Sequence, residues 1–397
     1  MIKEIRERYN AEFTETAYNR FFESCQNRFD KRIEFKVCET PVFIPADFKS
    51  LLMQAGEEII DLISSEKFNT FSKKAIPQEL NVPGDEDKPV FIALDFGICE
   101  NASGELIPQL IEMQGFASLY AWQHELGRQY RKHFNIPPHV NHLFQGMDNE
   151  AYVALLKKTI LGDHAPKHVI LLEIEPEKQK TWIDFYLTRE MLGIEPVCVS
   201  KIMKEGNNIY YELHGEKVQV KRIYNRLIFD ELLLRKDLVT NWQLTDETNV
   251  EWVCHPNWFF RISKYSLPLI KSKFVPETYF ISELKNIPGD LENWVLKPLF
   301  SFAGHGVIFN VKKEDIEKVL PEGENFILQK KVKYKPVIET LDQPAKCELR
   351  LMYIWEKNKE RPTLVINLVR LSKGEMIGVD YNKNKTWVGG TVGYYEE

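Results

Sequence analysis

Paired cysteines are missing from this chain. Its six cysteines, at positions 25, 38, 99, 198, 254 and 347, are scattered with no CxxC pair. That removes the spacing of a thiolate metal knuckle or a disulfide framework, and it marks them as reduced thiols of a cytoplasmic protein. No apolar run approaches the ~18 residues of a membrane span, so no membrane partner is expected. The opening MIKEIRERYN is charged and lacks the apolar core of a secretory signal. A formal charge of −6 argues against a nucleic-acid surface, which needs clustered excess Lys and Arg. P-loop, GxSxG and HExxH patterns are absent as well.

The chain does have ordinary globular proportions. Its 397 residues, 44% hydrophobic and 28% charged, leave room for about two or three domains. The stretch Asn293 to Asn310, NWVLKPLFSFAGHGVIFN, reads as a strand (294–296), a Lys-Pro step, a small-residue loop and a returning strand (307–309). Gly304 and Gly306 permit positive φ and let loop amides approach a ligand. Lys297, at the strand end, is placed to meet a phosphate held by those amides, or is simply a solvated lysine beside an ordinary hairpin.

A second hairpin spans 90–113, with strands at Val90 to Phe96 and Leu106 to Met113 and a turn at Asn101 to Gly104. Asp95 lies beside the partner strand that ends with Glu112 and Gln114, and these last two share a face because strand side chains alternate. Two carboxylates and an amide oxygen facing one cleft suit Mg²⁺, which prefers hard oxygen ligands; a solvated strand end accounts for the same residues.

The remaining chain divides by pattern. Residues 1–85 are largely helical, with Phe48 to Ile63 clearly amphipathic. His124 to Phe134 reads as a helix with a basic exposed side and solvated histidines. HVILLEIE, Lys180 to Leu192 and IEPVCVSK form a βαβ unit with a parallel sheet. A hairpin turning at His214-Gly215 follows, and then a helix through KRIYNRLI. Arg222 and Arg226 at that sheet's end either grip an anionic substrate or serve the surface. From 250 onward, a helix carrying Lys264 leads to a strand near Val275-Pro276. Beyond the Lys297 hairpin come a helix at KKEDIEKVL, an edge strand FILQKKV, and the strands CELRLMYIW and PTLVINLVRLS.

In this order the features resemble an ATP-grasp enzyme: a helix lysine, "VPET", the strand lysine of VLKP, a glycine loop from Ser301 to Gly306, and FILQKKV. An ordinary ATP-grasp domain closes with an Arg-x-Asp and Glu-x-Asn hairpin. Here the similar segment, ALDFGICENASGELIPQLIEMQGFASL, stands early, at 93–119. The chain thus resembles circularly permuted members, the glutathionylspermidine synthases and eukaryotic-type glutathione synthetases, from about residue 90 onward. The implied fold is mixed α/β, a permuted ATP-grasp with a small α/β substrate domain. The expected divisions are 1–160 (helical region plus metal-binding hairpin), 161–248 (substrate domain) and 249–397 (nucleotide-binding domain).

The resemblance implies that ATP phosphates meet Lys264, Lys297 and the loop of Ser301, Gly304 and Gly306. It implies adenine on the backbone around Gln329, Lys330 and Lys331, and Mg²⁺ on Asp95, Glu112 and Gln114. Arg350 and Arg370 are candidates for steadying an acyl-phosphate, since guanidinium matches phosphate oxygens; either could instead pair with a carboxylate. The implied function is an ATP- and Mg²⁺-dependent ligase joining a small carboxylate to an amine, as a homodimer. Three departures stand against the family pattern: Ala93 where arginine is usual, Gln114 where asparagine is usual, and Ser301 and His305 where permuted relatives carry an acid. They keep open a degenerate nucleotide- or partner-binding module, and phosphotransfer to another acceptor is a third reading.

Overall fold

Aromatic and aliphatic residues spaced near three and four apart wind the N-terminal segment into helices. Lys3–Glu12 (α1) precedes Glu15–Gln26 (α2), which Thr14 caps by accepting from Ala17 N at 3.2 Å. After the short strand Val42–Ile44 (β1), Ala46–Ile63 (α3) buries Leu52, Ala55, Ile59, Ile60 and Ile63 along one stripe, and Glu66–Ser72 (α4) follows. The computed structural model describes residues 1–300, 306–374, 377 and 382–397.

Phe91–Glu100 (β2) and Leu106–Gln114 (β3) form the expected antiparallel hairpin. Asn101 fixes its turn, its side-chain oxygen accepting from the backbone of Ser103 and Glu105. Tyr120–His133 (α5), Val140–Asn141 (β4) and Asn149–Leu161 (α6) come next. His124 is not solvated as expected; it is buried and stacks on Tyr152 at 5.0 Å.

Val169–Glu173 (β5), Trp182–Leu192 (α7) and Glu195–Cys198 (β6) make the expected parallel βαβ unit. Met203–Glu205 (β7), Asn208–Leu213 (β8) and Glu216–Val220 (β9) form a meander that turns at His214-Gly215. KRIYNRLI is not a helix. Its Arg222–Asn225 (β10) is a strand inserted between β5 and Glu251–Val253 (β11), burying Ile223 and Tyr224, and the helix Phe229–Leu234 (α8) begins only beyond it.

Trp258–Arg261 (α9) is followed by a 3₁₀ turn, Lys264–Leu269, where an α-helix was expected. Pro268 lacks an amide to donate, which favours the shorter, tighter turn. Thr278–Phe280 (β12), Trp294–Pro298 (β13) and Phe326–Lys330 (β14) form one sheet, with Lys313–Val319 (α10) packing Ile316 against Leu296 and Leu328. β14 is the central strand of that sheet, not an edge. The expected returning strand at 307–309 contributes one bridge, Ile308 to Leu296.

Lys346–Ile354 (β15), Thr363–Ser372 (β16), Gly389–Thr391 (β17) and Gly393–Glu396 (β18) complete the chain. The central sheet runs β17-β16-β15-β2-β3, so the early hairpin and the C-terminal strands are one surface. Ile92, Leu94, Phe96, Leu349, Leu351 and Tyr353 pack one face onto α3. Because alternate residues turn the other way, the opposite face receives Asp95, Glu348 and Arg350. No described helix is long and apolar enough to cross a membrane.

Candidate functional site

Strand register fixes the site. Glu112, Asp95 and Arg350 lie side by side across β3, β2 and β15, and the next row holds Gly97, Glu348 and Arg370 across β2, β15 and β16. Asp95 is 1% exposed, and burying a lone carboxylate there would be costly. Arg350 meets it bidentately, Nε to Oδ1 at 2.5 Å and Nη2 to Oδ2 at 2.7 Å, and Arg370 adds Nη2 to Oδ2 at 2.9 Å. Arg370 also pairs with Glu348 Oε1, and Tyr334 donates to Glu348 Oε2 at 3.1 Å. Burial pushes the Glu348 carboxyl up against the pull of Arg370. Burial would weaken the charge on Arg350, but Asp95 more than offsets it and the guanidinium is held above its ordinary range.

Tyr334 reaches Glu348 because Gly97 has no side chain: a Cβ there would lie 2.6 Å from the tyrosine ring. The glycine is a packing requirement, and it roofs one end of the charged rows with an aromatic ring.

Lys297 leaves the end of β13 and donates to Gln329 Oε1 at 2.5 Å, while Gln329 Nε2 donates to Thr278 Oγ1 at 3.2 Å. Desolvation lowers the Lys297 pKa to about 8; Glu112 opposes this and Lys264 adds to it. Burial also lowers Lys264, with Glu112 and Asp230 opposing. The two ammonium groups and Glu112 therefore sense one another, so the lysines from the β13 sheet and the 3₁₀ turn converge on the charged face of the central sheet. Four cationic side chains (Lys264, Lys297, Arg350, Arg370) gather here with the carboxylates Asp95, Glu112, Glu348 and, beside Lys264, Asp230. The cations on this face can meet an anionic ligand.

Mg²⁺ was expected on Asp95, Glu112 and Gln114. The last two do sit on one face of β3, but both oxygens of Asp95 are taken by guanidinium groups. Among the described residues, no group of three or more His, Cys, Asp or Glu is arranged to hold a metal. This donor set does not fit the three-ligand ion site.

The other expected site residues fall as follows. Gly306 adopts the anticipated positive φ, 73°; Ser301 and Gly304 lie outside the described residues. On the expected adenine-reading segment, Lys330 N donates to Glu277 O at 2.8 Å and Lys331 N to Asn293 O at 2.7 Å, so these amides serve the protein. Arg222 pairs with Glu251, and Arg226 with buried Asp184, which also accepts from Trp122 N at 2.9 Å near the start of α5. Both arginines therefore hold elements together. Glu348, Tyr334 and Gly97 escaped the sequence reading; a glutamate alternating with Arg350 in an otherwise apolar strand was the available signal.

Known proteins locate the fold. No protein-family model matches the chain, and no curated protein matches it. Among solved structures it is similar to a glutathione synthetase-like effector, GSS30, from Globodera pallida in its apo form. The TM-score is 0.57 at 12% identity, covering 91% of this chain and 90% of that one. The chain thus has a mixed α/β, glutathione synthetase-like fold over nearly its whole length.

Proposed function

We propose that this protein is an ATP-dependent carboxylate–amine ligase of the circularly permuted ATP-grasp kind, acting on small molecules in the cytoplasm. The observation that carries the reading is the convergence of Lys264 and Lys297 on the Asp95–Arg350–Arg370–Glu348 face, from the elements that the ATP-grasp pattern assigns to phosphate contacts. A carboxylate oxygen of the acid attacks the γ-phosphorus and the bond to the ADP oxygen breaks. The amine nitrogen then attacks the acyl carbon, phosphate leaves with the bonding pair, and the amine proton passes to solvent. Lys264 and Lys297 offset charge on the phosphates, and the outer edge of Arg370 faces the acyl-phosphate. Asp95, held by Arg350 and Arg370, does not serve as an ion ligand in this scheme.

One observation favours a second reading, a nucleotide-binding module without turnover: both oxygens of Asp95 accept bonds from arginines. Phosphate release and hydroxylamine trapping separate the two. Purified protein with ATP and a panel of peptide-like acids should yield phosphate and a hydroxamate. ATP binding with neither product across the panel would favour the module.

A further inference from the structure

We propose that the charged face takes a phosphate-bearing anion directly on its cations, without a bridging divalent ion, with the guanidinium groups of Arg350 and Arg370 standing where an ion would otherwise bind Asp95. The inference rests on the nucleotide reading above and departs from the magnesium that reading's family implies.

Three observations carry it. First, both buried carboxylates already hold cationic or phenolic partners within the protein: Asp95 accepts three bonds from Arg350 and Arg370, and Glu348 accepts from Arg370 and Tyr334. Glu112 is then the one carboxylate of the rows with no hydrogen bond among the described residues, and a single carboxylate beside the neutral Gln114 is a poor cage for a hard dication. Second, Lys264, Lys297, Arg350 and Arg370 already bring four cationic side chains to the face. They supply the positive charge that a bridging ion would otherwise bring to the phosphates. Third, Arg370 is only partly spent. Its side chain is 39% exposed, and both of its bonds use Nη2. Nη1 and Nε take part in neither bond, and a guanidinium fork matches phosphate oxygens.

Equilibrium dialysis of the full chain against ATP tests this, once in excess EDTA and once in excess magnesium. Affinities within about threefold of each other are expected, less than half of a tenfold (~1.4 kcal/mol) step. Arg370→Met should weaken binding about tenfold or more in both conditions, and Arg370→Lys, which retains charge without the fork, should recover only part. Circular dichroism melting of each variant confirms that the fold persists. Tight binding in magnesium that disappears in EDTA would overturn the inference and leave the nucleotide site standing. No binding in either condition would overturn both.

Discussion

Arg350 grips Asp95 through both carboxylate oxygens although the two residues lie 255 positions apart, and the pair is buried at the middle of the central sheet. It fastens the early hairpin to the C-terminal strands at the site itself. Arg350→Met would leave Asp95 with Arg370 alone, and breaking a buried pair from one side costs about 3–5 kcal/mol. Urea unfolding should show a loss of that order, and Arg350→Lys should not restore it because the bidentate fork is gone. A loss below about 1 kcal/mol, the range of a surface pair, would mean that the clasp is not structural.

Gly97→Ala should be costly beyond its size. The new methyl would meet the Tyr334 ring 2.6 Å away, and overpacking of this kind costs about 1–3 kcal/mol. Paired with Tyr334→Leu, which removes the phenol's bond to Glu348, the alanine should become nearly neutral in a double-mutant cycle. Simple additivity of the two changes would contradict the contact.

Much of this architecture could be read from residue order. The hairpin at 91–114, the βαβ unit, and α3 follow periods of two and 3.6 that survive folding unchanged. The failures share a cause, which is tertiary context. Arg222–Asn225 looked helical in isolation but fills a gap between two parallel strands, and His124 lies in the buried first half of α5, where its partner Tyr152 comes from α6. In the site, the residue types were legible while their partners were not. Nothing in the local sequence shows that Asp95 faces Arg350, since a distant strand register decides it.

Lys297 should make ligand binding pH-dependent. Its folded pKa, about 8, lies below the ordinary 10.5 of lysine because the ammonium is desolvated. Raising the pH through that value neutralises it, so its attraction for phosphate is present below about 8 and lost above. ATP affinity should therefore fall between pH 7 and 9 (about one unit either side of that pKa), and Lys297→Met should flatten the profile. An unchanged affinity across that range would contradict the assignment.

His124 and His142 set an acid limit to stability. Burial lowers them from 6.5 to about 4 and about 3, respectively. Above about pH 6.5 neither state gains a proton. As the pH falls below it, the unfolded chain is protonated while the buried rings stay neutral, so stability is lost, by up to about 1.4 kcal/mol per pH unit per ring. His124→Phe, which preserves the stack on Tyr152, should shallow the decline seen in denaturant titrations from pH 7 to 4 (the window set by these shifts). An equally steep decline in that variant would exclude His124 as a cause.

Calorimetric titration of the protein with ATP, beside Lys297→Ala, tests the proposed nucleotide site most directly. Saturable binding with micromolar affinity (~8 kcal/mol) to the wild type, weakened about tenfold or more in the variant, is the expected result. Wild-type protein that takes up no ATP while remaining folded, or a variant that binds as well as the wild type, would contradict it.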